Sequence, residues 1–309
     1  MRRRQAEAAG SRGAAARGGP TVKPPPPPPE PLPTSTVDAH THLDACGATT
    51  PELLAAAMDR AAAVGVRRAV TVADDLASAR WVVDAASWDD RVVAAVALHP
   101  TRTAAVTSEN LAEIERLAAH PRVVAVGETG LDYYWDFSPP EAQQRVFRWH
   151  IGLAKRLGKP LMIHDREAHA DILRILREEG APPVVVFHCF SGDAGMAREC
   201  VDAGYVLSFA GPVTFKNAPD LRAAAALVPD DQLLVETDAP FLTPHPHRGR
   251  ANEPFCLPWT VRALAAVRGV SDERLASCAR RNAERVFRLG ELPSGPPIGT
   301  SGATDPRSA

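Results

Sequence analysis

Aromatic residues are scarce, at 6% of the 309 residues, so Val, Ala and Leu must fill whatever core the 45% apolar content builds. A dominant charge is lacking as well: 35 Lys and Arg oppose 37 Asp and Glu, a formal net charge of −2. That balance excludes a protein that coats DNA by bulk electrostatics, and a nucleic-acid substrate would have to be gripped locally, by metals and a few cations. No run approaches the roughly 18 apolar residues of a membrane span. The basic N-terminus has no apolar stretch behind it, so no secretory signal is expected. The cysteines (Cys46, Cys189, Cys200, Cys256, Cys278) include no C-x-x-C pair. This excludes a zinc ribbon or disulfide framework and predicts reduced thiols in the cytoplasm.

What is present divides into three parts. Residues 1–35 are rich in Arg, Ala and Gly, then in Pro, and carry six cations against Glu7 and Glu30. Such a segment buries too little apolar surface to offset its ordering entropy, so a disordered extension is expected; a basic nucleic-acid arm and an organelle transit peptide are the other readings. Residues 36–289 form the expected folded domain. Residues 290–309, rich in Gly, Ser and Pro, are expected to be a flexible tail.

Within the domain, short β-branched runs alternate with Ala/Leu/Arg segments of helical period. Strands are expected at Thr36–Ala39, Arg68–Val72, Val92–Ala97, Val123–Gly127, Leu161–His164, Val184–His188, Tyr205–Phe209 and Leu233–Thr237. Helices are expected between them, with two more over Pro254–Arg268 and Ser271–Arg288. Eight strands alternating with helices predict an α/β fold of the (β/α)8 TIM-barrel type. The rival, a doubly wound open sheet, would carry a glycine-rich turn after its first strand, where this chain reads His-Thr-His.

Chemistry concentrates at the ends of these strands. His40 and His42 stand two apart, so their side chains share one face. Glu128, His164 and His188 end three further strands, and Asp238 follows another. That end of a barrel is where active sites assemble. Each residue alone has a competing structural reading, as a satisfied core histidine or an ion-paired acid, but six coincidences are required together. Four imidazoles and two carboxylates exceed the three protein ligands usual for one catalytic metal. They suit two divalent ions (Zn, Mn, Mg or Fe), one on His40, His42, Glu128 and Asp238, the other on His164, His188 and a bridging Glu128. Asp238 is the candidate general base, with a ligand-only role as the alternative.

Expected substrate contacts are Arg166, Arg248 and Asn252, the last two in the loop after strand eight, where barrels commonly hold phosphate. Lys216, Arg250, His245 and His247 are further candidates, and for each cation a plain surface role competes. Tyr133, Tyr134 and Trp135 are placed to stack a base or to pack the rim. His99 is expected to line the pocket, while His120, His150 and His169 are expected to face solvent.

The blocks DAHTHLD, GETGLDYY, IHDREA, FHCFSG, SFAGPVTFKNA and ETDAPFLTPHPHRGRANEP resemble, in order, those of the TatD-related metal-dependent hydrolases, often called the TatD DNase family. The likeness runs from Val37 to Leu289. It implies a TIM barrel with two divalent ions, a role as a DNase trimming DNA ends (single-stranded or frayed), and ligands at His40, His42, Glu128, His164, His188 and Asp238. Thr129, where the family often has a branched apolar residue, and Asp165, where Ser is frequent, depart from the pattern. Two alternatives stand beside the DNase reading: hydrolysis of another ester such as D-aminoacyl-tRNA, and a non-catalytic metal- or nucleic-acid-binding module.

Overall fold

A computed structural model describes residues 23–290 of the chain. The expectations for residues 1–22 and 291–309 lie outside the described residues. Eight parallel strands follow one another around a barrel in chain order: β1 (Thr36–Thr41), β2 (Val66–Val72), β3 (Val92–Ala95), β4 (Val123–Asp132), β5 (Leu161–Arg166), β6 (Val185–Phe187), β7 (Val206–Phe209) and β8 (Leu233–Val235). Helices α1 (Pro51–Ala63), α2 (Leu76–Trp88), α3 (Ser108–Ala118), α4 (Pro140–Leu157), α5 (His169–Glu179), α6 (Ala194–Asp202) and α7 (Pro219–Leu227) fill the crossovers. The chain ends in α8 (Leu257–Arg268) and α9 (Asp272–Val286). Every expected strand is present, so the TIM-barrel expectation holds.

The helices begin where local chemistry dictates. Thr50, Asp75, Thr107, Asp193 and Ser271 each accept a backbone N–H of the first turn of their helix, satisfying a donor that the helix itself leaves open. The Pro139–Pro140 pair starts α4 one residue later than expected, with Pro140 rather than Pro139 at the first helical position.

Two apolar layers hold the barrel. Inside it, Val37, Ala39, Val70, Val72, Val93, Ala95, Met162, Val186 and Leu234 pack together, and Ala283 and Val286 of α9, with Phe287 just after it, close the floor. Small β-branched residues suffice here because barrel interiors are narrow, which is how so few aromatics fill so large a domain. Outside the strands, helices bury stripes such as Ile172, Leu173, Ile175 and Leu176 of α5, each contributing about 1.5–3 kcal/mol if buried fully.

Closure between β8 and β1 is polar. Asp38 accepts from Thr237 N (2.9 Å) and Thr237 Oγ1 (2.5 Å), Asp238 N donates to His40 O (3.0 Å), and His42 N donates to Ala239 O (2.7 Å). These bonds fix the end of β1 against the residues after β8, and so fix His40 and His42 against Asp238.

The extension does not end at residue 35 as expected. Lys23 pairs with Arg250, Leu32 N donates to Val64 O (3.1 Å), and Arg262 donates to the carbonyls of Glu30 and Pro31. Leu32, 2% exposed, sits against Gly65 and seals the outer layer beside α1. A proline-rich strand needs no internal hydrogen bonds, so one buried leucine and a few backbone bonds hold it to the barrel.

Candidate metal centre

The carboxyl ends of the strands deliver their side chains to one spot above the apolar interior. β4 carries the central carboxylate, and two glycines let β5 approach it. A Cβ on Gly127 would lie 2.5 Å from Met162 Cβ, and one on Gly130 (φ +134°) would lie 2.1 Å from His164 O. Any side chain at either position would push His164 away from Glu128. Asp238 is held in the left-handed region (φ +53°), which Asp tolerates better than most residues and which departs there from regular strand backbone.

Glu128 lies at the centre with its two oxygens facing different neighbours. Its Oε1 is 2.7 Å from His164 Nδ1 and 2.7 Å from His188 Nε2. Its Oε2 is 3.5 Å from His40 Nε2 and 3.8 Å from His42 Nε2. Asp238 Oδ1 stands 3.7 Å from each of those two nitrogens, which are 3.3 Å apart. All six residues expected at the site therefore meet. The structure also stacks His40 on His188 (ring centroids 3.9 Å apart) and sets His99 Nε2 3.5 Å from Glu128 Oε1.

Hydrogen-bond partners decide what the inward nitrogens are. His42 Nδ1 faces the carbonyl of Val72 at 3.0 Å, so it carries the proton and leaves Nε2 a bare acceptor when the ring is neutral. His188 Nδ1 faces Glu236 Oε1 (3.2 Å) and likewise leaves Nε2 open. His40 Nδ1 has only Met162 Sδ (3.2 Å), and burial holds its pKa down at about 4, a neutral ring. Lone pairs and carboxylate oxygens thus converge on the same space, and only positive charge can hold such acceptors together. The titration directions agree. Burial lowers His164, but Asp132 and Glu128 outweigh it and raise it to about 9. Burial also lowers His188, and Glu128 and Glu236 reverse that strongly. Burial raises Glu128, whose imidazole neighbours pull it well below the ordinary carboxylate range, while burial carries Asp238 up to about 7. The donor set fits divalent cations. Overlapping clusters could hold them: His40–Glu128–His188, His40–His42–Asp238, His42–Asp74–Glu128 and His99–Asp132–His164.

Sequence reasoning missed the buried acids behind the imidazoles. Asp132 Oδ2 meets His164 Nε2 at 3.0 Å while Oδ1 accepts from the backbone of Tyr134 and Trp135. Glu236 Oε1 meets His188 Nδ1 and accepts from Cys189 N at 2.7 Å. Such partners set ring orientation and basicity. A signal existed: both are acids at most four residues from an expected ligand, at the mouth of the same strand.

Other expectations are placed as follows. Arg166 is exposed on the rim, its guanidinium 4.0 Å from the Tyr134 ring and 5.7 Å from Trp135, and Arg248 lies 4.1 Å over Phe215. Lys216 and His245 are exposed, while Arg250 reaches the carbonyl of Pro25. Asn252 is not exposed on the rim. It is buried, and its amide donates to Thr237 O and Phe241 O, clamping the loop that carries Asp238. His150 is not at the surface either: it is buried between Leu98 N and Thr129 Oγ1, because the apolar stripe of α4 turns it inward. His169 and His120 are partly exposed, and Asp165 pairs with His169 (2.7 Å) rather than with the centre, since adjacent strand residues point oppositely. Phe241, 6.0 Å from the His42 ring, is a further exposed aromatic in addition to the stacked pair Trp135 and Phe137.

Buried imidazoles and acids gathered at the carboxyl rim of a parallel barrel define a metal-dependent hydrolase. Known proteins narrow the class. Residues 37–288 match the TatD related DNase family. The chain is 61% identical over 259 residues to the uncharacterized metal-dependent hydrolase TatD of Mycobacterium tuberculosis, covering 82% of this chain and 98% of that one. It is 40% identical over 200 residues to the 3'-5' ssDNA/RNA exonuclease TatD of Musicola paradisiaca, covering 63% of this chain and 76% of that one. The crystal structure of YJJV, a TatD homolog from Escherichia coli, superposes with a TM-score of 0.76 at 28% identity, over 82% of this chain and 98% of that one. The chain belongs to the TatD-related DNase family. Its five cysteines are free, and among the described residues no helix is long and apolar enough to cross a membrane.

Proposed function

We propose that this hydrolase uses two divalent ions to cleave phosphodiester bonds of DNA, trimming single-stranded or frayed ends as an exonuclease. The observation that carries the reading is the division of Glu128, with Oε1 against His164 and His188 and Oε2 toward His40 and His42. One ion would be held by His40, His42, Glu128 and Asp238, the other by His164, His188 and Glu128. Ions so placed make water easier to deprotonate and offset negative charge gathering on phosphoryl and leaving oxygens.

The chain's own residues supply the rest. Asp238 presents Oδ1 to His40 and His42, and its other oxygen accepts the proton of the attacking water. Glu236 and Asp132 hold His188 and His164 in the tautomers that keep Nε2 and Nδ1 directed inward. Arg166 and Arg248, pre-ordered over aromatic faces, grip the phosphate backbone, and Trp135, Phe137 and Phe241 offer faces to bases. A single-stranded substrate agrees with a net charge of −2, because stacking and a few cations replace bulk attraction. The name of the Musicola relative supports nucleic acid as the substrate class.

The test is shortening of 5′-labelled single-stranded DNA by purified protein loaded in turn with Mg, Mn or Zn. A progressive ladder, lost in Asp238→Asn, is expected. A preparation that holds metal yet leaves the DNA intact with all three ions rejects the reading.

A further inference from the structure

The opposite end of the barrel gathers a second set of polar groups whose bonding capacity is unmet. On β2 the interior positions are Val70 and Val72, and the two-residue period of a strand carries the same inward direction back to Arg68, which pairs in register with Val37 of β1. Arg68 is thus the lowest rung of the barrel interior. Beside it lies a cavity of about 230 Å³ between the starts of β1 and β2 and the last turns of α9, lined by Ser35, Thr36, Arg67, Arg68, Arg280 and Glu284.

Arg68 is 9% exposed, and its guanidinium forms no hydrogen bond or ion pair with any described residue. Its Nε is buried without a partner, and so are Nε of Arg280 and Oγ1 of Thr36. Three of the ten such atoms among the described residues therefore line this one cavity. The acid present, Glu284, is engaged by Arg280 at 3.3 Å. Arg67 and Arg280 are partly exposed, so water screens their charge, but Arg68 is buried without an ion pair among the described residues, and guanidinium cannot shed its proton in a protein. Water filling the cavity would satisfy hydrogen bonds but not that charge, and a buried charge without a counter-charge is strongly unfavourable. The unmet groups are donors (guanidinium N–H and a hydroxyl) beside a buried positive charge, so the missing partner is an anionic acceptor.

We propose that this cavity is an anion site for a phosphate dianion, free or as the terminal group of a small phosphomonoester. Arg forks and a threonine hydroxyl match tetrahedral oxygens, and the volume leaves room for a small substituent. The site is separate from the metal centre: Val37 and His40 are three residues apart on β1, about 10 Å at the rise of a strand, with the apolar interior of the barrel between the two ends.

The test is thermal unfolding of the metal-loaded full chain titrated with inorganic phosphate and, separately, with glycerol 3-phosphate, against chloride at matched ionic strength. Wild type, Arg68→Met and Arg280→Gln are compared, so that any phosphate held at the metal centre contributes equally to all three. Ligand that binds only the folded state raises Tm saturably. Removing one charged donor is expected to weaken the variant-sensitive part of the shift by about tenfold or more, with hydrolase activity in the absence of added phosphate unchanged. Tighter binding of glycerol 3-phosphate assigns a phosphorylated small molecule, and equal or tighter binding of inorganic phosphate assigns the free anion. Identical titrations in wild type and variants, or an equal shift with chloride, overturn the proposal. Should Arg68→Met not fold, Arg67→Gln and Arg280→Gln, at partly exposed lining positions, carry the same comparison.

Discussion

His150 Nδ1 lies 2.8 Å from the hydroxyl of Thr129, the residue next to Glu128 in β4, while His150 Nε2 accepts from Leu98 N at 3.4 Å. The partners fix the tautomer: Nε2 is the acceptor, so Nδ1 carries the proton and donates to Thr129. A helix on the outside of the barrel is thereby tied to the strand that bears the central carboxylate.

Burial holds the His150 pKa down at about 3, against 6.5 for an ordinary imidazole. Its folded-state pKa is depressed, so the folded form binds fewer protons than the unfolded chain below about 6.5. The stability this group contributes is present above that pH and is lost as pH falls toward 3. Between pH 7 and pH 5 the loss is on the order of 2 kcal/mol. Urea unfolding of wild type and His150→Gln at both pH values checks this. The variant is expected to be less stable at pH 7 but to lose less on acidification, and parallel losses would show that His150 is not the neutral, buried group described.

Glu128→Ala removes the one carboxylate that both halves of the centre share. Loss of an outer partner typically lowers metal affinity or activity by about 10- to 100-fold; removal of Glu128 itself is expected to exceed that and to deplete both ions. Asp132→Asn is expected to fall within the outer-partner range, because Asn can still accept from Tyr134 and Trp135 while losing the carboxylate opposite His164 Nε2. Elemental analysis beside the activity assay separates the two. Full metal content and rate in Glu128→Ala would remove the bridging assignment.

The barrel and the gathering of the six residues were legible because each depends on short-range pattern: a β-branched run fixes a strand, and its last residue falls at the rim whatever the details. The misreadings share one cause, a partner distant in the chain. Helical period alone places His150 on α4, but its burial is matched by partners far along the chain, Thr129 of β4 and the backbone of Leu98 after β3. Asn252 stands among arginines and histidines, which suggests ligand contact, yet its amide serves the carbonyls of Thr237 and Phe241. Leu32 is a single apolar residue among prolines, and nothing nearby signals that Val64 and Gly65 offer it a seat.

Leu32→Ala isolates that seat. The side chain is almost wholly buried against the start of β2 and lies at the other end of the barrel from the rim. Truncating a buried leucine costs about 2–5 kcal/mol when the site cannot collapse. The lower end is expected, since a proline-rich segment at the surface can shift inward. Thermal or urea unfolding reads the change, and kcat on DNA is expected to stay at the wild-type value. An unchanged stability would mean that the Lys23–Ser35 segment does not hold to the barrel in solution.

The proposed function assigns Arg166 and Arg248 to substrate rather than to metal. Each guanidinium rests on an aromatic face and is exposed at the rim, and Arg166 adds only a minor share, behind His164 and the Trp135 amide, to what lowers the pKa of buried Asp132. Replacing either by Gln should leave stability within about 0.5 kcal/mol, the usual range for surface substitutions. If they grip phosphates, KM for single-stranded DNA rises in both variants while kcat changes little, because the contact is made equally in ground and transition states. Salt dependence gives the sharper reading. Each lost phosphate contact reduces the slope of log K against log salt by about 0.7 for a single strand. Binding of labelled oligonucleotide across a salt series, using the Asp238→Asn protein to prevent turnover, measures that slope. A weakened KM with an unchanged slope would mean that the arginine orders the aromatic rim instead of touching the backbone, and unchanged values of both would remove it from the binding surface.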